Sequence, residues 1–447
     1  MTYTILGAGL SGLSCSYHIG HEQCTIFESQ MHPGGHVYSY ERDGFVWDEG
    51  PHVSFTQHDY VRNLFAKSVN DNFYEFSVRV ENYFNDLWIP HPAQSNLYAV
   101  PEPLRTECLE SFLASREVKG TSATPSHYGE WLDKAFGKVF SQKFPHVYTK
   151  KYWTVAPELL TTDWIGKRVY YPETEMVING YENPQTESTH YIKTVRYPKT
   201  GGYYSFAQVL VSGANIMVDN PVQNIDLENK RIGLRNGDYH DYDKLINTIP
   251  LPEFIRLAKA PQKILNAANQ LSCTSLLLVN VTAPHSPKLS SQWFYVYDED
   301  KLSTRVNSTG LMSSGNVPVG KTGIQVEVYF SKYKPMTMSN EEVAQIVCKE
   351  LIEMGIIDTV ESVHTNLVSY ANIIYDHSRR ENQNIILEWL ECYGLAREPD
   401  DLEPMTDWST IKPATLGNLT LAGRFAQWKY FWSDDCILRG KYLSSCK

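Results

Sequence analysis

Short apolar runs and amphipathic stretches alternate along the chain. Residues 2–6 (TYTIL) and 24–27 (CTIF) are apolar and short enough to be buried strands, and a helical stretch, 13–19, lies between them. Residues 37–46 alternate as a hairpin turning at Asp43-Gly44. Residues 59–77 are amphipathic and predict a helix. Residues 78–100 read as short strands and loops, and 104–150 as helical, broken by a polar loop at 119–125. Residues 172–195 are polar and predict an extended loop or small hairpin. A helix at 204–212 and strands at 215–218, 222–227, 231–234 and 242–250 follow. The remainder predicts a helix at 253–270, strands at 276–282, 293–297, 323–330 and 363–370, and helices at 340–354, with Asn340 as its cap, and 381–393. A strand at 419–421 and a helix from Cys436 close the chain. Strand–helix–strand at one end and alternating strands later predict an α/β protein: a Rossmann-like domain, a helical insert and an antiparallel-sheet domain. The expected division is discontinuous. Residues 1–75, 197–252 and 410–447 form the nucleotide-binding domain, 76–196 a mostly helical insert or substrate cap, and 253–409 the antiparallel sheet with its helices.

The turn after the first strand reads G-A-G-L-S-G. Gly7 allows the tight turn, Gly9 lets backbone approach a pyrophosphate, and Gly12 lets helix pack on strand. Leu10 and Ser11 lie in this turn, and the helix that follows offers free N–H groups and a positive dipole end at its N-terminus to phosphates. Glu28 ends the second strand, 21 residues after Gly7, where a carboxylate bonds a ribose hydroxyl. Gly34 and Gly35, followed by His36, again bring backbone close to a cofactor. Gly50-Pro51 forces a turn that presents His52. Val222 heads a strand that returns to this domain. At the far end, Gly423-Arg424 follows a strand, and Asp434 and Asp435 open the last helix, a second cofactor-facing edge. Cofactor-facing turns at both ends of the chain call for a long cofactor, FAD rather than NAD.

Composition narrows the partners. A net charge of −11 argues against nucleic acid. It leaves room for an anionic small substrate held by a local arginine cluster. The 29 Tyr and 10 Trp suit a deep pocket with polar tips, and equally an ordinary core. None of the eight Cys forms a C-x-x-C pair or a Cys/His cluster at metal spacing, so no metal is expected. With no signal peptide before the first strand and no apolar run of transmembrane length, the expected setting is a reducing cytoplasm without membrane insertion.

GAGLSG, PGG and DEGPH resemble the flavin-dependent group that contains UDP-galactopyranose mutases, protoporphyrinogen oxidases and amine oxidases. YTKKYW followed by PELL and Lys167-Arg168, Ser303-Thr304-Arg305 followed by the strand with Glu327, and the tail GRFAQWKYFWSDDCI are similar to the mutase branch. The likeness runs through almost the whole chain in order. Phe55 stands where that branch commonly has a second histidine, and Tyr370-Ala371 where it has Tyr-Pro.

The resemblance implies a non-redox reaction. In that branch the reduced flavin is a nucleophile toward the anomeric carbon of a nucleotide sugar, and pyranose and furanose forms interconvert in surface-polysaccharide synthesis. It implies Arg305 and Arg168 as diphosphate ligands, because the guanidinium fork matches phosphate oxygens. It places His52 near the flavin ring and Arg424 at the FAD pyrophosphate. Tyr152, Trp153, Tyr370, Tyr375 and Tyr430 become candidate substrate contacts. The implied partners are an anionic UDP- or dTDP-hexose and a reductant; a homodimer is left open. Two other readings stay open: a redox flavoenzyme of the amine oxidase, porphyrinogen oxidase or desaturase type, and a flavin-bearing binding protein without turnover.

Overall fold

The computed structural model describes residues 2–117, 124–166, 169–184, 194–397 and 416–446. Its centre is a parallel sheet of five strands. Tyr3–Leu6 lies between Cys24–Phe27 and Lys244–Asn247; Ile216–Met217 adds one edge and Leu419–Leu421 the other. Widely separated parts of the chain thus build one parallel sheet. The helix Leu10–Ile19 packs against the C-terminal helix Ser433–Ser444. Gly440 permits that approach, since a Cβ there would collide with Ser14 Oγ.

The second large element is a seven-stranded sheet. Its backbone is Cys273–Pro284, Lys321–Phe330 and Ser362–Ile373, paired antiparallel. Arg305–Ser308 and Trp293–Val296 extend it, and the hairpin Val80–Phe84/Leu87–Pro90 forms the far edge. Only Trp293–Val296 and Val80–Phe84 pair in parallel within this sheet. The architecture is the expected one: a parallel Rossmann-like sheet joined to a mainly antiparallel sheet. Helices Leu104–Glu117, Tyr128–Phe136, Lys138–Lys143 and Pro145–Tyr152 pack an aromatic core of Phe112, Phe136, Phe140 and Phe144.

Several local expectations are corrected. The amphipathic stretch 59–77 is a helix only over Asp59–Ser68. Asn70 and Asp71 take positive φ, and Phe73–Ser77 pairs with Thr194–Pro198 as a strand. Residues 253–270 are two helices, Leu251–Leu257 and Gln262–Gln270, parted where Lys259 turns at φ 48° before Pro261. The polar stretch 172–195 contains a helix, Thr174–Glu182. The helix Asn340–Glu353 is capped by Ser339, which forms a reciprocal capping box with Glu342.

Candidate active site

The glycine loop is built as the spacing requires. Gly7 sits at φ 93°, and a Cβ on Gly12 would run into the Gly7 carbonyl oxygen. A Cβ on Gly9, in contrast, would meet nothing nearer than Gly35 Cα at 4.0 Å. The space beside Gly9 is open, and no side chain caps the helix that starts at Leu10. Its first N–H groups therefore face that space as donors. Gly34 N donates to Ala8 O at 2.8 Å, which lays the second glycine pair along the first. Glu28 is buried and organises the loop: Oε2 accepts from Ala8 N at 2.7 Å and Oε1 from Gln30 N at 2.8 Å. Ser29 Oγ also donates to Oε1, at 3.2 Å, so Oε2, with one donor, is the oxygen that keeps a lone pair for a ribose hydroxyl. Val222 starts a strand just beyond Asn220, whose N–H donates to Glu28 O at 2.9 Å.

His52 lies in the loop after the hairpin Ser39–Arg42/Phe45–Asp48. Its Nδ1 is 2.7 Å from Gly50 O. A carbonyl only accepts, so Nδ1 carries the proton and Nε2 is an acceptor. Burial, with Arg305 and Arg424 nearby, pushes its pKa down to about 4. His36 is likewise lowered to about 4, by desolvation, His52 and Arg424. Both rings are neutral at pH 7 and share one electrostatic neighbourhood with the two arginines.

Arg305 and Glu327 come from adjacent strands and are directly opposite in register. Arg305 donates Nε–H to Glu327 Oε2 at 2.7 Å and an NH2 proton to Oε1 at 2.6 Å. Glu327 is 2% exposed and Arg305 24%. The carboxylate is sealed beneath while NH1 stays free of it. Tyr148, Tyr295 and Tyr329 surround the guanidinium. Tyr148 stacks on Tyr152, with centroids 5.7 Å apart and planes at 17°. Across the site, Asn372 Oδ1 accepts from both Tyr152 OH at 3.1 Å and Arg424 NH2 at 2.8 Å. Arg424 Nε is buried with no hydrogen-bond partner, and its Cζ lies 4.9 Å from the Tyr430 ring centroid.

The structure thus gathers His36, His52, Tyr152, Arg305, Arg424 and Tyr430 in one region. Trp153 and Tyr375 sit behind them, 5% and 3% exposed, in a box with Trp164 and Tyr430. Tyr370 faces elsewhere. Its hydroxyl donates to Glu253 Oε1 at 2.6 Å beside a cleft of about 310 Å³ that Arg256 and Lys332 also line. The carboxylates of Asp434 and Asp435 serve the last helix's own first turn: Asp435 accepts from Trp432 N at 2.7 Å and Asp434 from Asp435 N at 3.1 Å. Gly423 takes φ 105° with Ser11 packed against it, so the tail turn adjoins the glycine loop. Arg168 lies outside the described residues. The sequence reading did not single out Tyr148, Tyr295 or Asn372. Tyr148 was within reach, because it stands one helical turn before Tyr152. Among the described residues, no group of three potential ligands gathers to hold a metal ion, and no helix is long and apolar enough to cross a membrane.

A family model described as flavin containing amine oxidoreductase matches residues 10–442. The chain belongs to that family. Its fold is shared with a crystal structure of reduced UDP-galactopyranose mutase, at a TM-score of 0.86 and 22% identity, covering 98% of this chain and 92% of that one. A putative protoporphyrinogen oxidase from Exiguobacterium sp. 255-15 superposes at a TM-score of 0.68 with 16% identity, over 99% and 97% of the two chains. In sequence, the 4,4'-diapophytoene desaturase of Staphylococcus aureus (strain Newman) is 24% identical over 440 residues, 83% of this chain and 84% of the relative. The family is a flavin-containing one, and the similar proteins named here carry mutase, oxidase and desaturase names.

Proposed function

We propose that this family member binds FAD and interconverts the pyranose and furanose forms of a nucleotide-linked hexose without net oxidation. The observation that carries the reading is the Arg305–Glu327 pair with Arg424 across from it. Two guanidiniums, a wall of tyrosine hydroxyls and two neutral histidines make a site for an anionic, hydroxyl-rich ligand. Desaturation of an alkyl chain calls instead for an apolar channel without fixed cations.

The residues fit FAD. The open space at Gly9 and the uncapped helix N-terminus suit its pyrophosphate, Glu28 a ribose, and the unpartnered Nε of Arg424 an acceptor on the cofactor. Bound and reduced, a flavin supplies a nucleophilic nitrogen for the anomeric carbon. The chain does the rest. Arg305, with two N–H groups held by Glu327, presents its remaining donors to the diphosphate in a fixed orientation. That keeps the charged nucleotide in place while its bond to the sugar is broken and remade. Neutral His52 presents Nε2 as an acceptor without adding a third positive charge. The Tyr148–Tyr152 stack offers a flat face to a base, and the box behind it excludes water.

The test is incubation of the dithionite-reduced protein, under nitrogen, with UDP-, dTDP- and GDP-hexopyranoses, followed by chromatography for furanose products. A furanose product that requires reduced flavin and is lost in Arg305→Ala supports the reading. The family and the desaturase relative favour a second reading, an FAD-dependent oxidoreductase. Absence of furanose across the panel, with substrate-accelerated flavin reoxidation or reduction, would replace the first with the second.

A further inference from the structure

Tyr152 and Trp153 end the helix Pro145–Tyr152, and the residues on either side of them are fastened in an unusual way. Lys151 is 6% exposed. Its Nζ donates to Asp298 O at 2.7 Å. Glu350, Asp298 and Asp300 favour its charge, while burial and Lys334 oppose it and bring its pKa down to about 7. A lysine pointed to the surface would avoid that penalty. On the other side stands Thr154, 7% exposed and at φ 63°. A β-branched residue there is strained, and the surrounding structure must hold it.

The hold is a directed chain of hydrogen bonds. Tyr333 N donates to Ser331 Oγ at 3.0 Å. Ser331 Oγ meets Thr154 Oγ1 at 2.6 Å, and Thr154 Oγ1 donates to Trp153 O at 2.5 Å. With Thr154's proton directed at Trp153 O, Ser331 is the donor to Thr154, and every hydroxyl in the chain both donates and accepts.

The two anchors lead to the two halves of the ion pair. Ser331 directly follows the strand Lys321–Phe330 that carries Glu327. Asp298 opens the loop that runs into Arg305–Ser308. That loop is itself fixed by buried Glu350, which accepts from Leu302 N at 2.6 Å, Ser303 N at 2.9 Å and Ser303 Oγ at 2.5 Å. No hydrogen bond or ion pair joins Lys151 or Thr154 to Arg305, Glu327, Arg424 or His52. We propose that they are positioning residues: they lock the Tyr152–Trp153 pair in register with the Arg305–Glu327 strands, so that the aromatic face and the cation meet one nucleotide together. The inference rests on the proposed function for its ligand, and on the geometry alone for its effect on the aromatic residues.

The test compares Thr154→Gly, Thr154→Ser and Lys151→Met with the wild-type holoprotein, by UDP titration, thermal melting and near-UV circular dichroism. Thr154→Gly removes both the strain and the hydroxyl. The expected result is an unchanged or higher Tm, a Kd for UDP raised roughly tenfold and an altered aromatic dichroism. Thr154→Ser keeps the hydroxyl and restores both Kd and dichroism. Lys151→Met, close in shape and uncharged, raises the Kd without lowering Tm. A merely structural role predicts the reverse, a lower Tm with unchanged affinity, and that result overturns the inference. A wild type that binds none of UDP, dTDP and GDP refutes the proposed function instead. The dichroism then decides this point alone: a change in Thr154→Gly that Thr154→Ser reverses supports positioning, and no change overturns it.

Discussion

Arg305 and Glu327 stand directly opposite each other on adjacent antiparallel strands and share two parallel hydrogen bonds. Their burial is unequal, 24% against 2% exposed, and this decides what each substitution does. Arg305→Ala leaves Glu327 charged, sealed and unpaired, which costs about 3–5 kcal/mol. Arg305→Ala/Glu327→Ala removes both charges and should recover most of that stability, but it also removes the cation that faces the site. We therefore expect the double variant to melt near wild type and to bind no nucleotide diphosphate. Urea unfolding and a UDP titration check the two halves separately. Arg305→Lys is the intermediate case: it keeps the charge and loses the fork, so affinity falls while most of the stability remains.

Gly9 and Gly12 are three residues apart and answer different demands. A methyl group on Gly12 meets the Gly7 carbonyl oxygen, whereas one on Gly9 meets only open space, with Gly35 Cα 4.0 Å away. Gly12→Ala should therefore destabilise the fold itself. Gly9→Ala should fold and melt like the wild-type apoprotein yet be purified with little flavin, because its methyl group stands where a pyrophosphate must approach. The absorbance ratio of flavin to protein, read beside the apoprotein melting temperature, separates the two. Equal flavin content in Gly9→Ala and wild type would remove Gly9 from the cofactor site.

What the chain disclosed in advance was local. The glycines, the two flanking strands and Glu28 lie within 28 residues and read directly into the observed turn. What it concealed depends on distant partners. The stretch 59–77 looks helical throughout, but its last five residues pair with a strand more than a hundred positions later. The helix Thr174–Glu182 lies in a polar stretch, and it is fitted by Gly180, where any side chain would collide with Ser95 O. Phe55, a departure from the mutase pattern, packs edge-on against Trp432 with centroids 4.9 Å apart, an aromatic pairing across nearly the whole chain. At the site, Arg305 was legible from its motif. Asn372 was not, because nothing in its neighbourhood shows that Tyr152 and Arg424 would both converge on its oxygen.

Asp48 gives a pH dependence of unusual sign. It is buried and accepts from Ser39 Oγ at 2.5 Å, Tyr203 N at 2.9 Å and Tyr197 OH at 2.7 Å. All three donors are neutral. Burial outweighs those bonds and pushes the pKa from 3.8 up to about 6. The folded protein then holds this proton more tightly than the unfolded chain. Stability contributed by the group is present below pH 3.8 and is lost as pH rises through about 6. His52 runs the other way. With its pKa lowered to about 4, it binds its proton less tightly when folded, so its effect is a loss of stability as pH falls from 6.5 toward 4. Asp48→Asn isolates the first effect. Its oxygen keeps the bonds to Ser39 and Tyr203, while the Tyr197 hydroxyl, which already accepts from Asn316 Nδ2 at 3.1 Å, loses the acceptor for its own proton, a cost that does not vary with pH. The variant's stability relative to wild type should rise from pH 4 to pH 8, by about 3 kcal/mol at most for a shift of roughly two units. Urea unfolding at a series of pH values measures that difference. A difference that stays flat across the range would mean that Asp48 is ionised in the fold at an ordinary pKa. Tyr203, which takes an Asp48 oxygen on its N–H and stacks with His52 at 5.3 Å, would then be held by a permanent charge and not by a titrating one.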